Sequence, residues 1–178
     1  MARKHQWLDK GTPPEPQPKG ELHERKVMLS VWWNSEGVVH FEFLPSGTTV
    51  TAVVYCDQLE RVNQALRHVR SRRESVRFLH DNARPHTAKI TRQKLMDLGW
   101  EVLPHPPYSP DLAPSDYHLF RSLQNFLRGK VYSAADDIER DIKNFFDSKP
   151  TEFYARGIHR LVERWNKVIQ SEGDYIRD

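Results

Sequence analysis

Val76-Arg77-Phe78-Leu79-His80-Asp81-Asn82-Ala83-Arg84-Pro85-His86-Thr87-Ala88 takes the chain from a short strand directly to a carboxylate and then into a helix. The strand is expected over Val76 to His80, and the helix from about Thr87, whose hydroxyl can cap the first turn. Ala88, Thr91, Leu95 and Leu98 form its inward face, and Gly99 stands where a C-terminal glycine cap belongs. Glu101 to Leu103 read as one more brief strand. The five prolines between Pro104 and Pro114 then force a rigid, largely extended crossing.

Upstream, Val27–Trp33 and Val38–Leu44 are β-rich segments joined by Asn34-Ser35-Glu36-Gly37, which predicts a hairpin with Trp32 and Trp33 as a core and an edge residue. Leu59, Val62, Leu66 and Val69 follow at helical spacing, and the solvent side of that helix is basic through Arg61, Arg67, Arg70, Arg72 and Arg73. Residues 1–26 carry Pro13, Pro14, Pro16 and Pro18 among basic residues and are expected to form an extended arm or long loop. Downstream the chain is helical. Ser115 is the expected cap of a helix that turns Leu119, Leu123, Phe126 and Leu127 inward and closes at Gly129. Ser133 is the expected cap of the next, with Ile138, Ile142, Phe145 and Phe146 inward. The last helix is expected to bury Ile158, Leu161, Val162, Trp165, Val168 and Ile169. Hairpin, helix, strand, helix, strand and helices in this order make one mixed α/β domain over 27–178, with helices layered on a small sheet.

Composition narrows the function. Lys and Arg number 27 against 24 Asp and Glu, and the pI near 9.0 leans towards a polyanionic partner. Cys56 is the only cysteine, which excludes an intramolecular disulfide framework and a thiolate zinc site and suits a reducing compartment. No apolar run is long enough for a bilayer, so no membrane role is expected.

Two carboxylates stand out by position: Asp81 at a strand end and Asp116 in the first turn of a helix after the crossing. Two-metal phosphoryl chemistry uses such carboxylates, because hard oxygen ligands must hold Mg2+ or Mn2+ while the ions polarise the attacking and leaving oxygens. Each also has a plainer reading. Asp116 suits a helix N-terminus electrostatically, and Asp81 is a turn former before Asn82.

The wider sequence adds weight to the metal reading. Leu79-His80-Asp81-Asn82-Ala83-Arg84-Pro85-His86-Thr87-Ala88 resembles the second catalytic block of mariner transposases, and Tyr108-Ser109-Pro110-Asp111-Leu112-Ala113-Pro114-Ser115-Asp116-Tyr117-His118-Leu119-Phe120 resembles the third. The 34 residues between Asp81 and Asp116 match that family's spacing. Val27–Trp33 and Phe153–Leu161 match as well, so the resemblance covers essentially the whole chain.

The resemblance implies an RNase H-like fold, two Mg2+ or Mn2+ ions, nicking of DNA at transposon ends and strand transfer by a 3′-hydroxyl. Asp81 and Asp116 map to the second and third catalytic, metal-binding aspartates. Candidate DNA-binding residues are Arg84, His86, Lys89 and Arg92, with Arg70, Arg72 and Arg73 from the end of the first helix. Asn82, His118 and Tyr108 are expected to support the site, His86, His105 and His118 bracing its floor or touching DNA. A homodimer through the 1–26 arm and a nuclear location are also implied. The family's first aspartate lies on a strand upstream of a segment resembling Arg3-Lys4-His5-Gln6-Trp7-Leu8, so that strand is expected to be missing, with nicking impaired. Asp9 belongs to the arm and is not expected to replace it. The alternative is a non-catalytic domesticated module that binds DNA or dimerises.

Overall fold

The computed structural model describes residues 27–45, 47–69, 75–132 and 134–176. The arm, Arg70, Arg72, Arg73 and Ser133 lie outside the described residues, as does Asp9. β1 (Met28–Trp33) and β2 (Val38–Leu44) pair as the expected antiparallel hairpin. Asn34 organises its turn, its Oδ1 accepting from the amides of Glu36 and Gly37 at 2.9 and 3.1 Å.

The hairpin divides the core. Leu29, Val31, Trp33, Val38, Phe41 and Phe43 pack on one cluster, centred on Leu119, Leu123, Phe145 and Phe146. Trp32 and Val39 belong to a second cluster with Tyr55, Leu59, Val62, Leu95 and Trp100. Strand alternation puts the neighbouring Trp32 and Trp33 on opposite sides, and a register irregularity between them, where Trp32 faces His40 and Trp33 faces Val38, skips Val39 so that Val38 shares a cluster with Phe41 and Phe43. The first cluster is covered by α4 (Arg121–Leu127), α5 (Ala135–Asp147) and α6 (Thr151–Gln170). The second is covered by α1 (Ala52–Val69) and α3 (Lys89–Asp97). α1 also meets the hairpin through polar groups: Gln58 Nε2 donates to Ser30 Oγ and Glu42 Oε1, and Arg61 grips Glu42 with two bonds of 2.8 and 2.9 Å. Burial opposes the charge on Glu42, but the bonds from Arg61, His40 and Gln58 outweigh it and hold that carboxyl down to about 2.

The expected strand over Val76–His80 is paired only at β3 (Arg77–Phe78), parallel to β4 (Glu101–Val102). Among the described residues the hairpin and the β3–β4 pair are separate two-stranded ladders. The helix expected from Thr87 starts earlier. α2 (Arg84–Thr87) begins with Pro85 in its first turn, where a missing amide hydrogen costs nothing, and the chain breaks at Ala88 (ψ 148°) before α3. Thr87 caps nothing; its hydroxyl donates back to the Ala83 carbonyl at 3.4 Å. Gly99 does terminate α3 as expected. At φ +69° it supports a Schellman closure, with Gly99 N donating to Met96 O and Trp100 N to Leu95 O.

Ser115 is not a cap either. Pro114 holds the cap position of a π-helical segment over Ser115–Phe120 that runs into α4, and Ser115 Oγ accepts a 3.0 Å bond from Trp33 Nε1. Ala134 holds the corresponding position of α5. The face of α6 needs the largest correction, because Val162 and Ile169 are 57% and 75% exposed while Phe153, Tyr154, Gly157, Leu161 and Arg164 are buried. Gly157 is turned inward because the His118 ring fills the space a side chain would need, and its carbonyl accepts from Tyr117 Oη at 2.8 Å. Arg164 is turned inward by a 3.0 Å bond to the Asp111 carbonyl and by the Tyr117 ring 4.1 Å away. Counting apolar side chains misses a face built on glycine and arginine.

Candidate active site

β3 delivers Asp81 at the end of a two-residue extension, and its Oδ1 is held twice. Ala83 N donates to it at 3.0 Å, closing a local turn, and His86 Nδ1 donates at 2.6 Å. No described residue bonds Oδ2. Burial raises the Asp81 carboxyl, but the Ala83 amide and the His86 ring outweigh that and keep it below its ordinary value. The carboxylate is therefore ionised and acceptor-only, so His86 carries its hydrogen on Nδ1.

His86 sits in an aromatic stack. Its ring is nearly parallel to His80 (10°, centroids 5.1 Å apart) and 4.2 Å from Tyr55 of α1. Burial pushes the Tyr55 phenol up and, with the nearby His86 and His105, drives His80 down to about 4 against the pull of Asp81. Both are neutral at pH 7, and the phenol donates to His80 Nδ1 at 3.1 Å.

The crossing is tied to this unit where Asn82 Nδ2 donates to the His105 carbonyl at 2.9 Å. It continues through a 3-10 turn, Pro110–Leu112, whose Asp111 is buried and accepts the Ile176 amide at 3.0 Å. The next helix buries Tyr117 and Leu119, which leaves Asp116 on the opposite, solvent-facing side. Asp116 is raised by partial burial and then by the negative charge of Asp81, with His105 opposing. Asp81 and Asp116 thus sit close enough for one charge to disfavour the other. Among the described residues no hydrogen bond reaches the Asp116 carboxylate, and no group of three or more His, Cys, Asp and Glu is arranged to hold a metal ion.

A groove of 730 Å³ is lined by Asp116, Phe120, Arg121, Gln124, Arg164 and Tyr175, among others. The donor chemistry suits a hard divalent cation: two carboxylates, one with an Oδ2 that no described residue bonds, whose mutual repulsion a cation would relieve.

The other expected residues divide. Arg84, Lys89 and Arg92 are exposed along α2 and α3. His86 is mostly enclosed, and its donor is spent on Asp81. Asn82 bonds the crossing at the His105 carbonyl. His118 lies two residues from Asp116, hence across the helix. Its Nε2 donates to the Phe153 carbonyl at 2.8 Å, and it packs between Trp33 and Phe153, bracing the core. Tyr108 is 98% exposed with φ +54° and joins no described contact. Arg61, on the basic face of α1, is committed to Glu42. Tyr55 and His80 were not singled out by the sequence. Tyr55 stands four residues before Leu59 on the same stripe, which marks it as inward-facing, but its partner across 25 residues is visible only in the fold.

Comparison with known proteins decides the family. A model described as "Transposase (partial DDE domain)" matches residues 1–76. The Mos1 transposase catalytic domain, solved with Raltegravir and Mg, superposes with a TM-score of 0.85 at 46% identity over 88% of this chain and 80% of that one. The chain belongs to the mariner transposase family. Its fold is the RNase H-like fold of that catalytic domain. Among curated proteins, the mariner Mos1 transposase of Drosophila mauritiana is 43% identical over 178 residues, and the histone-lysine N-methyltransferase SETMAR of Homo sapiens is 46% identical over 177. This mariner chain is covered to 98% in both matches but spans only 52% and 26% of those proteins. It also superposes on the Mos1 paired-end complex with Mn with a TM-score of 0.87 at 44% identity, over 99% of this chain and 52% of that one. No helix of the described residues is long and apolar enough to cross a membrane.

Proposed function

We propose that this chain is a DNA-nicking and strand-transfer domain in which Asp81 and Asp116 hold Mg2+ or Mn2+ against a DNA strand. The reading is carried by the placement of Asp81 after β3 and of Asp116 on the exposed side of the helix after the crossing, near enough for the negative charge of Asp81 to raise the Asp116 carboxyl. The Mos1 structures solved with Mg, with Mn and with transposon-end DNA support it.

A divalent ion bound there would lower the pKa of a bound water or hydroxyl and neutralise charge developing on the phosphate. The protein's part is placement. Asp81 is presented with Oδ1 already occupied and Oδ2 open, and Asp116 projects from a helix whose other side is fixed in the core by Tyr117 and Leu119. The groove beside Asp116 offers Gln124 to a backbone phosphate, while Arg84, Lys89 and Arg92 supply further exposed positive contacts. The same proposal includes Arg70, Arg72 and Arg73 as DNA contacts, a homodimer through residues 1–26 and a nuclear location.

Two carboxylates, the set found among the described residues, are fewer oxygen ligands than a pair of ions needs, so this chain is expected to nick weakly. Plasmid relaxation with Mg2+ or Mn2+ tests this, comparing the chain, the chain extended upstream by a strand bearing an aspartate, and the extended Asp81→Ala variant. Activity only in the extended parent supports the reading. No activity in any of the three favours a second reading, a module that binds DNA without cutting it, which the two-carboxylate ligand set also suits.

A further inference from the structure

The stack beside Asp81 has a feature that neither the core nor the DNA surface requires. His86 is the fifth residue after Asp81, in a turn whose geometry Pro85 presets, and the Pro85 carbonyl is itself held by the buried Thr91 hydroxyl at 2.6 Å. The His86 side chain is 21% exposed against 60% for Asp81, and its Nδ1–H points at Oδ1, not at solvent. Behind it, His80 and Tyr55 pack against the ring, and the Tyr55 hydroxyl fixes His80 in turn. A carboxylate on a loop after a two-residue strand would otherwise rotate freely. Two donors on one oxygen remove that freedom and orient the other oxygen outward.

We propose that His86 is a positioning residue that clamps Asp81 Oδ1 so that Oδ2 is presented to a divalent cation, with His80 and Tyr55 as the backing that holds the imidazole in place. The proposal rests on the metal reading of Asp81 given above, and it takes His86 out of the set of DNA contacts. Outer partners of metal ligands typically change affinity about 10- to 100-fold when removed.

Two substitutions separate the clamp's parts. His86→Phe keeps a ring in the stack but removes the donor, whereas His86→Asn places an amide N–H near the Nδ1 position and removes the ring. Mn2+ affinity of the whole chain, read from the electron-paramagnetic signal of free Mn2+, is expected to fall about 10-fold or more in His86→Phe and to be partly restored in His86→Asn. Duplex DNA affinity in EDTA is expected to be unchanged in both. A metal-free readout stands beside these: nitrogen-15 spectra of the imidazoles are expected to show His86 Nδ1 protonated and hydrogen-bonded, a signature lost in Asp81→Ala.

Wild-type Mn2+ affinity in His86→Phe, with binding lost in Asp81→Ala, overturns the clamp and leaves the metal site standing. Mn2+ binding that ignores Asp81→Ala overturns the metal site, and with it the proposal. A bare Nδ1 on His86, or DNA binding in EDTA that collapses in His86→Phe, overturns the clamp whatever the metal does.

Discussion

Asp81 is carried by the half of the molecule built on α1 and α3, and Asp116 by the half built on α4, α5 and α6, with the hairpin as the wall between them. Asp81 is gripped by an amide and an imidazole that depress its pKa, while Asp116 has no described side-chain bond and is raised by burial and by its partner. One carboxylate is thus fixed in advance and the other is left in need of a counter-charge. A site made this way depends on both halves keeping their relative position, and the hairpin's two tryptophans touch both, Trp33 bonding Ser115 and Trp32 packing beside Tyr55.

The largest test of the two-half description is cooperativity. Phe145 and Leu59 are both fully buried, one in each cluster. Phe145→Ala is expected to cost about 3–5 kcal/mol and Leu59→Ala about 2–5 kcal/mol, from lost burial plus the cavity left behind. If the halves act as one unit, each variant shifts a single calorimetric transition; two separated transitions would break the comparison.

Gly157→Ala probes the wall itself. The new methyl would overlap the His118 ring and lie 2.9 Å from Trp33 Cη2, so a loss of about 1–3 kcal/mol is expected from overpacking. An unchanged melting temperature would show that His118 and Trp33 shift freely and do not fix the hairpin.

Acid should loosen the two faces of α1 at different pH. His80 is lowered from 6.5 to about 4, so the unfolded chain binds a proton that the folded one refuses; stability is full above 6.5 and is lost as pH falls towards 4. Glu42 is lowered from 4.5 to about 2, so its contribution is present above 4.5 and lost as pH falls towards 2. His80→Phe is expected to flatten the stability curve between 6.5 and 4, by on the order of 1 kcal/mol after solvent screening, and Glu42→Gln to flatten only the lower part. Equal acid sensitivity in both variants and the parent would remove these groups from the account.

Much of this arrangement is legible in the sequence because it is local. β-rich segments around the Asn34–Gly37 turn mark the hairpin, the stripe through Leu59 and Val62 marks α1, and Gly99 marks the end of α3. The two aspartates are legible through their strand-end and helix-start positions and through the family resemblance. What escapes is tertiary. Ser115 has the chemistry of a cap but bonds Trp33 from 82 residues away, Gly157 and Arg164 face inward because of what lies opposite them, and the Tyr55–His80–His86 stack joins α1 to the loop after β3. No spacing rule contains those partners.

The smallest structural effect is expected at Asn82→Ala. It removes one exposed bond to the His105 carbonyl and should cost about 0.5–1.5 kcal/mol, yet shift the crossing that carries Asp116. A stability loss without any change in metal affinity would uncouple the crossing from the site.

The central claim, that the fixed and the unsatisfied carboxylate share one divalent cation, is tested most directly by thermal unfolding of the parent chain and Asp116→Asn, in EDTA and in Mn2+. In EDTA the variant is expected to melt at a higher temperature than the parent, because it removes a charge that burial and Asp81 disfavour. Mn2+ is expected to raise the parent's melting temperature, by an amount equivalent to about 2.7 kcal/mol at a hundredfold excess over Kd, and to leave the variant where it was. Equal stabilisation of both proteins by Mn2+, or of neither, would contradict the account.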